Sequence, residues 1–88
     1  MDTVQETLAD REKSYGSYPE NCKLTQDVKD ILRAHPRWET MSPDKKQSVE
    51  MIVYKMARII TGDHGHKDSW HDIAGFARLI EQNLPDNR

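Results

Sequence analysis

The stretch 42-SPDKKQSVEMIVYKMARIITG-62 decides the fold. Ser42 is a favoured N-cap residue. Pro43 suits the first helical position, where its missing N–H has no intrahelical partner, and Asp44 meets the positive end of the helix dipole. Val49, Ile52, Val53, Met56, Ile59 and Ile60 then recur at helical spacing and draw a broad apolar stripe. Gly62 is available for a left-handed C-cap. The pattern predicts a helix over 43–61, with Met51 and Met56 as packing and helix-surface residues rather than a methionine-rich recognition face.

Working outward, Ile73, Phe76, Ala77 and Ile80 stand at i, i+3, i+4 and i+7, which predicts a helix over 69–83 ended by Leu84-Pro85. Upstream, Leu24, Val28, Ile31 and Leu32 share one side of a helix over 22–34, stopped where Pro36 disfavours helical geometry at His35. Trp38 follows as a plug folded onto the other helices. The segment Ser14–Asn21, SYGSYPEN, collects Gly16 and Pro19 and reads as a turn, which Tyr15 and Tyr18 fasten to the rest or use to stack on a base. Before it, Val4 and Leu8, with acids early and Arg11 and Lys13 late, give a weakly amphipathic helix over 2–13. No strand-like alternation, repeat or low-complexity tract competes. The expectation is a single all-α domain over residues 1–88, a compact bundle of about four helices.

Of the 88 residues, 35% are apolar and 32% charged, so one chain buries little and self-association into a homodimer or higher homo-oligomer is expected. Thirteen basic and fifteen acidic residues are mixed along the chain, giving a net charge of −2, which argues against a protein that grips nucleic acid through its phosphates. The single cysteine, Cys22, excludes an internal disulfide and a multi-cysteine zinc site. No apolar run reaches the length needed to cross a bilayer, and MDTVQETLADREK is too acidic for a signal peptide. The expected location is the cytoplasm, without membrane association.

The chemistry-bearing residues gather in 64-HGHKDSWHD-72. His64, His66 and His71 lack the i, i+4 pair of zinc hydrolases and there are no thiolates, so a solvated polar loop accounts for them better than zinc. Asp68 stands where a helix needs an N-cap acceptor, but Asp72, one turn further on, is not explained by capping. Gly75, mid-helix on the same stripe, suggests that another helix or a ligand approaches the backbone. Mg²⁺ takes one or two protein carboxylates and fills its shell with water and phosphate oxygens, which Asp68 and Asp72 could supply, with Glu50 on the preceding helix as a third ligand. Lys55 and Arg58 are either solvated charges or partners for phosphates. Trp70 and Tyr54 line the same rim.

The runs Glu50-x4-Lys55-x2-Arg58-Ile59-x2-Gly62 and Asp68-x-Trp70-x-Asp72-Ile73-Ala74-Gly75-Phe76, with Arg11-x-Lys13-x-Tyr15-Gly16-x-Tyr18 upstream, resemble small phage and prophage proteins of unknown function. Those are in turn similar to the MazG-like all-α nucleoside triphosphate pyrophosphohydrolases. The resemblance implies a MazG-like oligomeric helical core. It also implies acidic residues of two helices holding Mg²⁺ on a triphosphate, with Asp68 and Asp72 as the later pair and Glu50 as one member of the earlier pair. The other member of the earlier ExxE motif is replaced here by Gln47, a weaker Mg²⁺ ligand, which counts against a two-metal centre.

Two function classes therefore stand. One is a Mg²⁺-dependent nucleotide-binding or pyrophosphohydrolase-like protein, with Glu50, Asp68 and Asp72 on the metal and Lys55, Arg58 and Trp70 on the nucleotide. The other is a non-catalytic phage interaction protein that binds or inhibits a host protein. The first needs the three carboxylates to converge.

Overall fold

The computed structural model describes residues 3–86, so the expected start of the first helix at residue 2 lies outside the described residues. Four α-helices follow one another: α1 Thr3–Tyr15, α2 Tyr18–Arg33, α3 Pro43–Thr61 and α4 Lys67–Glu81, with a single 3₁₀ turn at Trp38–Thr40 between α2 and α3. No strand occurs among the described residues. The molecule is an all-α bundle in which α3 is the central helix, packed chiefly against α4 on one side and α2 on the other, while α1 touches α2 and α3 less extensively.

α3 forms over the range its sequence announces. At its start, however, the Ser42 hydroxyl makes no bond to a helix N–H and instead donates to the Asp44 carboxylate. α2 begins four residues earlier than the apolar spacing indicated. Ser17 is the N-cap, its hydroxyl facing the Glu20 N–H at 3.5 Å, and Pro19 sits in the first turn, where the missing N–H costs nothing. The turn expected over Ser14–Asn21 therefore shrinks to Gly16 and Ser17. α4 also starts early, at Lys67 with His66 as N-cap, so Asp68 is a first-turn acid rather than the cap.

Two glycines make the central crossing. Gly16, not Gly62, holds the left-handed conformation, at φ 78°, and Gly62 has φ −125°. A Cβ on Gly16 would overlap the Thr61 carbonyl, and one on Gly62 would overlap the Ser14 carbonyl and the Tyr15 backbone. The α1–α2 junction thus lies directly on the end of α3. Asp63 N–H donates to Ser14 O at 2.7 Å and Thr61 Oγ1 donates to Tyr15 O at 2.8 Å. Gly75, by contrast, has no atom within 4 Å of a built Cβ, so the close approach expected there does not occur.

The buried apolar core is small: Trp38, Val53, Ala57 and Ile59. Trp38 plugs the bundle as its sequence context indicated. Residues of α3 step about 100° around the axis, so Val53 and Ala57 lie on one flank, Ile59 on another, and Met56 and Ile60 between them. Met56 and Ile60 are 45% and 59% exposed, so the apolar stripe is wider than α2 and α4 cover. Ile31 of α2, expected on the packed side, is likewise exposed.

Candidate functional site

The three carboxylates read as Mg²⁺ ligands point to different neighbours. Glu50 faces α2, where its carboxylate is paired with Arg33 and lies 3.9 Å from Lys29 Nζ. Asp72 on α4 is paired with Lys55 Nζ at 2.9 Å. Glu50 and Lys55 are five residues apart, about 140° around the helix, so the first turns towards α2 while the second turns towards α4. Asp68 is exposed in the first turn of α4. Among the described residues no group of three or more His, Cys, Asp and Glu side chains is arranged to hold a metal ion. Two of the three carboxylates are already neutralised by cations, each of which an incoming Mg²⁺ would have to displace, and this donor set does not fit the ion.

The Lys55–Asp72 pair ties α3 to α4. Lys55, with a 14% exposed side chain, is far more covered than Asp72. Its hydrogen bond, followed by its charge and those of His71 and Arg58, holds the Asp72 carboxyl below the usual aspartate range against a smaller opposing effect of burial.

Of the cofactor candidates Lys55, Arg58 and Trp70, the first two lie together beside Tyr54, and Trp70 is engaged elsewhere. Trp70 is exposed and its indole N–H donates to His64 O at 2.9 Å, which closes the α3–α4 loop. His66, capping α4, meets the Tyr15 ring edge-on with centroids 5.1 Å apart. Lys55 and Arg58, three residues apart and about 60° around α3, flank the same Tyr54 ring at 5.9 and 4.4 Å from its centroid. Lys55 reaches towards α4 and Arg58 lies over Tyr15 at the end of α1.

Around Arg58 the structure assembles a site that the acidic motif does not contain. Its guanidinium carbon lies 4.2 Å from the Tyr15 ring centroid and 4.4 Å from that of Tyr54, and its Nη2 donates to the Tyr54 hydroxyl at 2.6 Å. Cation–π contacts of this kind are worth about 0.5–2 kcal/mol each, rising as water is excluded. The glycine crossing, with Gly16 against Thr61, brings the Tyr15 ring to the last turn of α3. Arg58 and the two tyrosines border a cleft of about 470 Å³ between α1, the start of α2 and α3, lined also by Leu8, Arg11 and Asn21. Asn21 is 4% exposed and its side-chain N–H group has no hydrogen-bond partner. One turn on, the Thr25 hydroxyl is also buried and unpaired.

This chain is an all-α protein with a tyrosine–arginine cleft, in which Glu50 and Asp72 are ion-paired. It belongs to the domain-of-unknown-function family DUF6378, which it matches over residues 1–83. No curated protein and no solved structure matches it. Among the described residues no helix is long and apolar enough to cross a membrane.

Proposed function

We propose that the chain works as a homodimeric, non-catalytic binding protein in which a second copy covers the open face of the α2–α3–α4 layer. The observation that carries this reading is the amount of surface a single copy leaves exposed. A compact monomer of 10.3 kDa exposes about 5,400 Å², whereas this chain exposes 6741 Å². The difference is of the size that a stable interface removes from each partner, about 800 Å² or more.

The radius of gyration of 15.4 Å is well above the roughly 12 Å of a compact chain of this length. Part of the excess is α1, which buries no residue and leaves Val4 and Leu8 exposed, and part lies on the other three helices. Met56 and Ile60 lie one turn apart on α3, on the face turned away from Arg58, and Ile31 on α2 and Trp70 on α4 supply further exposed apolar surface. The non-catalytic part of the reading is supported by the pairing of Glu50 with Arg33 and Lys29 and of Asp72 with Lys55.

Sedimentation equilibrium tests the assembly. The expected mass is twice 10.3 kDa, and a double substitution Met56→Lys, Ile60→Glu returns a helical monomer. A wild-type chain that stays monomeric at about 100 μM, a concentration at which even a weak dimer associates, overturns the reading. Pyrophosphate release from any nucleoside triphosphate with Mg²⁺, lost in Asp72→Asn, overturns its non-catalytic part.

A further inference from the structure

The open face is not the only feature of the molecule left unexplained by its packing. The cleft between α1, the start of α2 and α3 lies on the opposite side of α3, and its lining is chemically specific. Its volume, about 470 Å³, falls in the range of about 300–1,000 Å³ typical of small-molecule sites.

The charges on its wall are Arg11, Arg58 and Glu12, a net single positive charge. Arg58 is held between Tyr15 and Tyr54 and spends one of its guanidinium N–H groups on the Tyr54 hydroxyl. A guanidinium has five such donors in a fixed plane, so one flanked by two rings is oriented in advance for a bidentate anion. Asn21 is the independent sign of a ligand. Its amide is buried at the cleft and its N–H group is unpaired, which in a folded protein calls for a partner.

We propose that this cleft binds a planar aromatic molecule carrying one anionic group, a phosphate monoester or a carboxylate. The anion sits on the free edge of Arg58 with Arg11 beside it. The ring lies among Leu8, Tyr15 and Tyr54, and an oxygen or nitrogen acceptor on the ring takes the Asn21 N–H. An aliphatic anion leaves the aromatic wall uncovered, and a neutral ring leaves Arg58 without its counter-charge, so both halves are needed together. The site is on the face away from Met56 and Ile60, and its occupancy does not depend on the dimer.

The test is a titration of the full-length ¹⁵N-labelled chain with uridine and adenosine 5′-monophosphates and 4-hydroxybenzoate. Each half is titrated alone as well: the two nucleosides and inorganic phosphate, and for the benzoate phenol and acetate. At least one complete probe is expected to bind tenfold or more tighter than either of its halves. The shifted signals should be the Asn21 side-chain amide and the backbone around Gly16, Tyr54 and Arg58, with the Trp70 indole unmoved. Arg58→Gln should weaken that probe at least tenfold and Asn21→Ala severalfold, while Lys46→Ala, at the far end of α3, leaves it unchanged.

Because Arg58→Gln also removes packing on Tyr15, the wild-type shift pattern decides the case if that variant unfolds. Phosphate alone binding as tightly as the nucleotides overturns the aromatic requirement. Shifts centred on Lys55 and Asp72, or no complete probe binding below about 1 mM, where the binding free energy is only about 4 kcal/mol, overturn the site itself.

Discussion

Gly16 and Gly75 have opposite meanings that only their surroundings reveal. Gly16 is needed twice over, for its positive φ and for its contact with the Thr61 carbonyl. Gly16→Ala should destabilise the protein by at least about 1–2 kcal/mol from the left-handed backbone alone. The overlap with Thr61 adds to this, and thermal unfolding should show a loss of roughly 4–8 °C per kcal/mol. Gly75 has open space where a Cβ would go. Gly75→Ala should raise stability by about 0.8–1 kcal/mol, the ordinary helix-interior gain over glycine, readable as a higher urea midpoint with an unchanged slope. A loss of stability at Gly75 would mean that something absent from a single chain lies against it. The sequence pattern contains both glycines alike. It gives no way to separate them, because what approaches each one comes from a distant part of the chain.

At the scale of the elements, legibility followed the local signals. α3 could be read to the residue because its cap position, its proline and its terminal glycine are all local. The start of α2 was misplaced because Pro19 serves equally well in a turn and in a first helical turn, and Ser17 decides between them. The site is half legible: the sequence singles out Arg58, Tyr54 and Tyr15 one by one, but Tyr15 and the buried Asn21 come from the end of α1 and the start of α2, and no spacing rule links those residues to α3.

The contact between α3 and α4 makes its own prediction. Asp72 has a carboxyl pKa lowered by Lys55 from the ordinary 3.8. A carboxylate whose folded pKa is depressed contributes stability that is present above its unfolded pKa and fades as pH falls through the folded value. Asp72→Asn should therefore lower the melting temperature at pH 7 by no more than a few degrees, since the pair is partly exposed. The difference from wild type should vanish as the pH is taken below 3.8. A deficit that persists undiminished at lower pH would assign the effect to lost packing rather than to the ion pair.

For the molecule as a whole, the question is where its stability comes from. Four buried apolar residues among the described ones are a thin core, and a chain of this size buries only about 60% of its unfolded surface even when compact. α1 contributes no buried residue, although an isolated helix of its length is marginal in water. If a second copy covers Met56 and Ile60, folding and association are one equilibrium, and unfolding depends on protein concentration. Each tenfold increase in concentration should then raise the melting temperature by about 4 °C, from an unfolding enthalpy near 0.7 kcal/mol per residue counted over two chains. The substitution Ile60→Glu places a charge in that face and should abolish the concentration dependence while leaving the helical circular dichroism signal in place at low temperature. Leu79→Glu, on an exposed position of α4 that lines the groove beside Lys55 and Asp72 instead, should keep the dependence. If the wild-type melting temperature were the same across a hundredfold range of concentration, the exposed apolar face of α3 would have to be carried by the monomer, and the thin core would have to suffice alone.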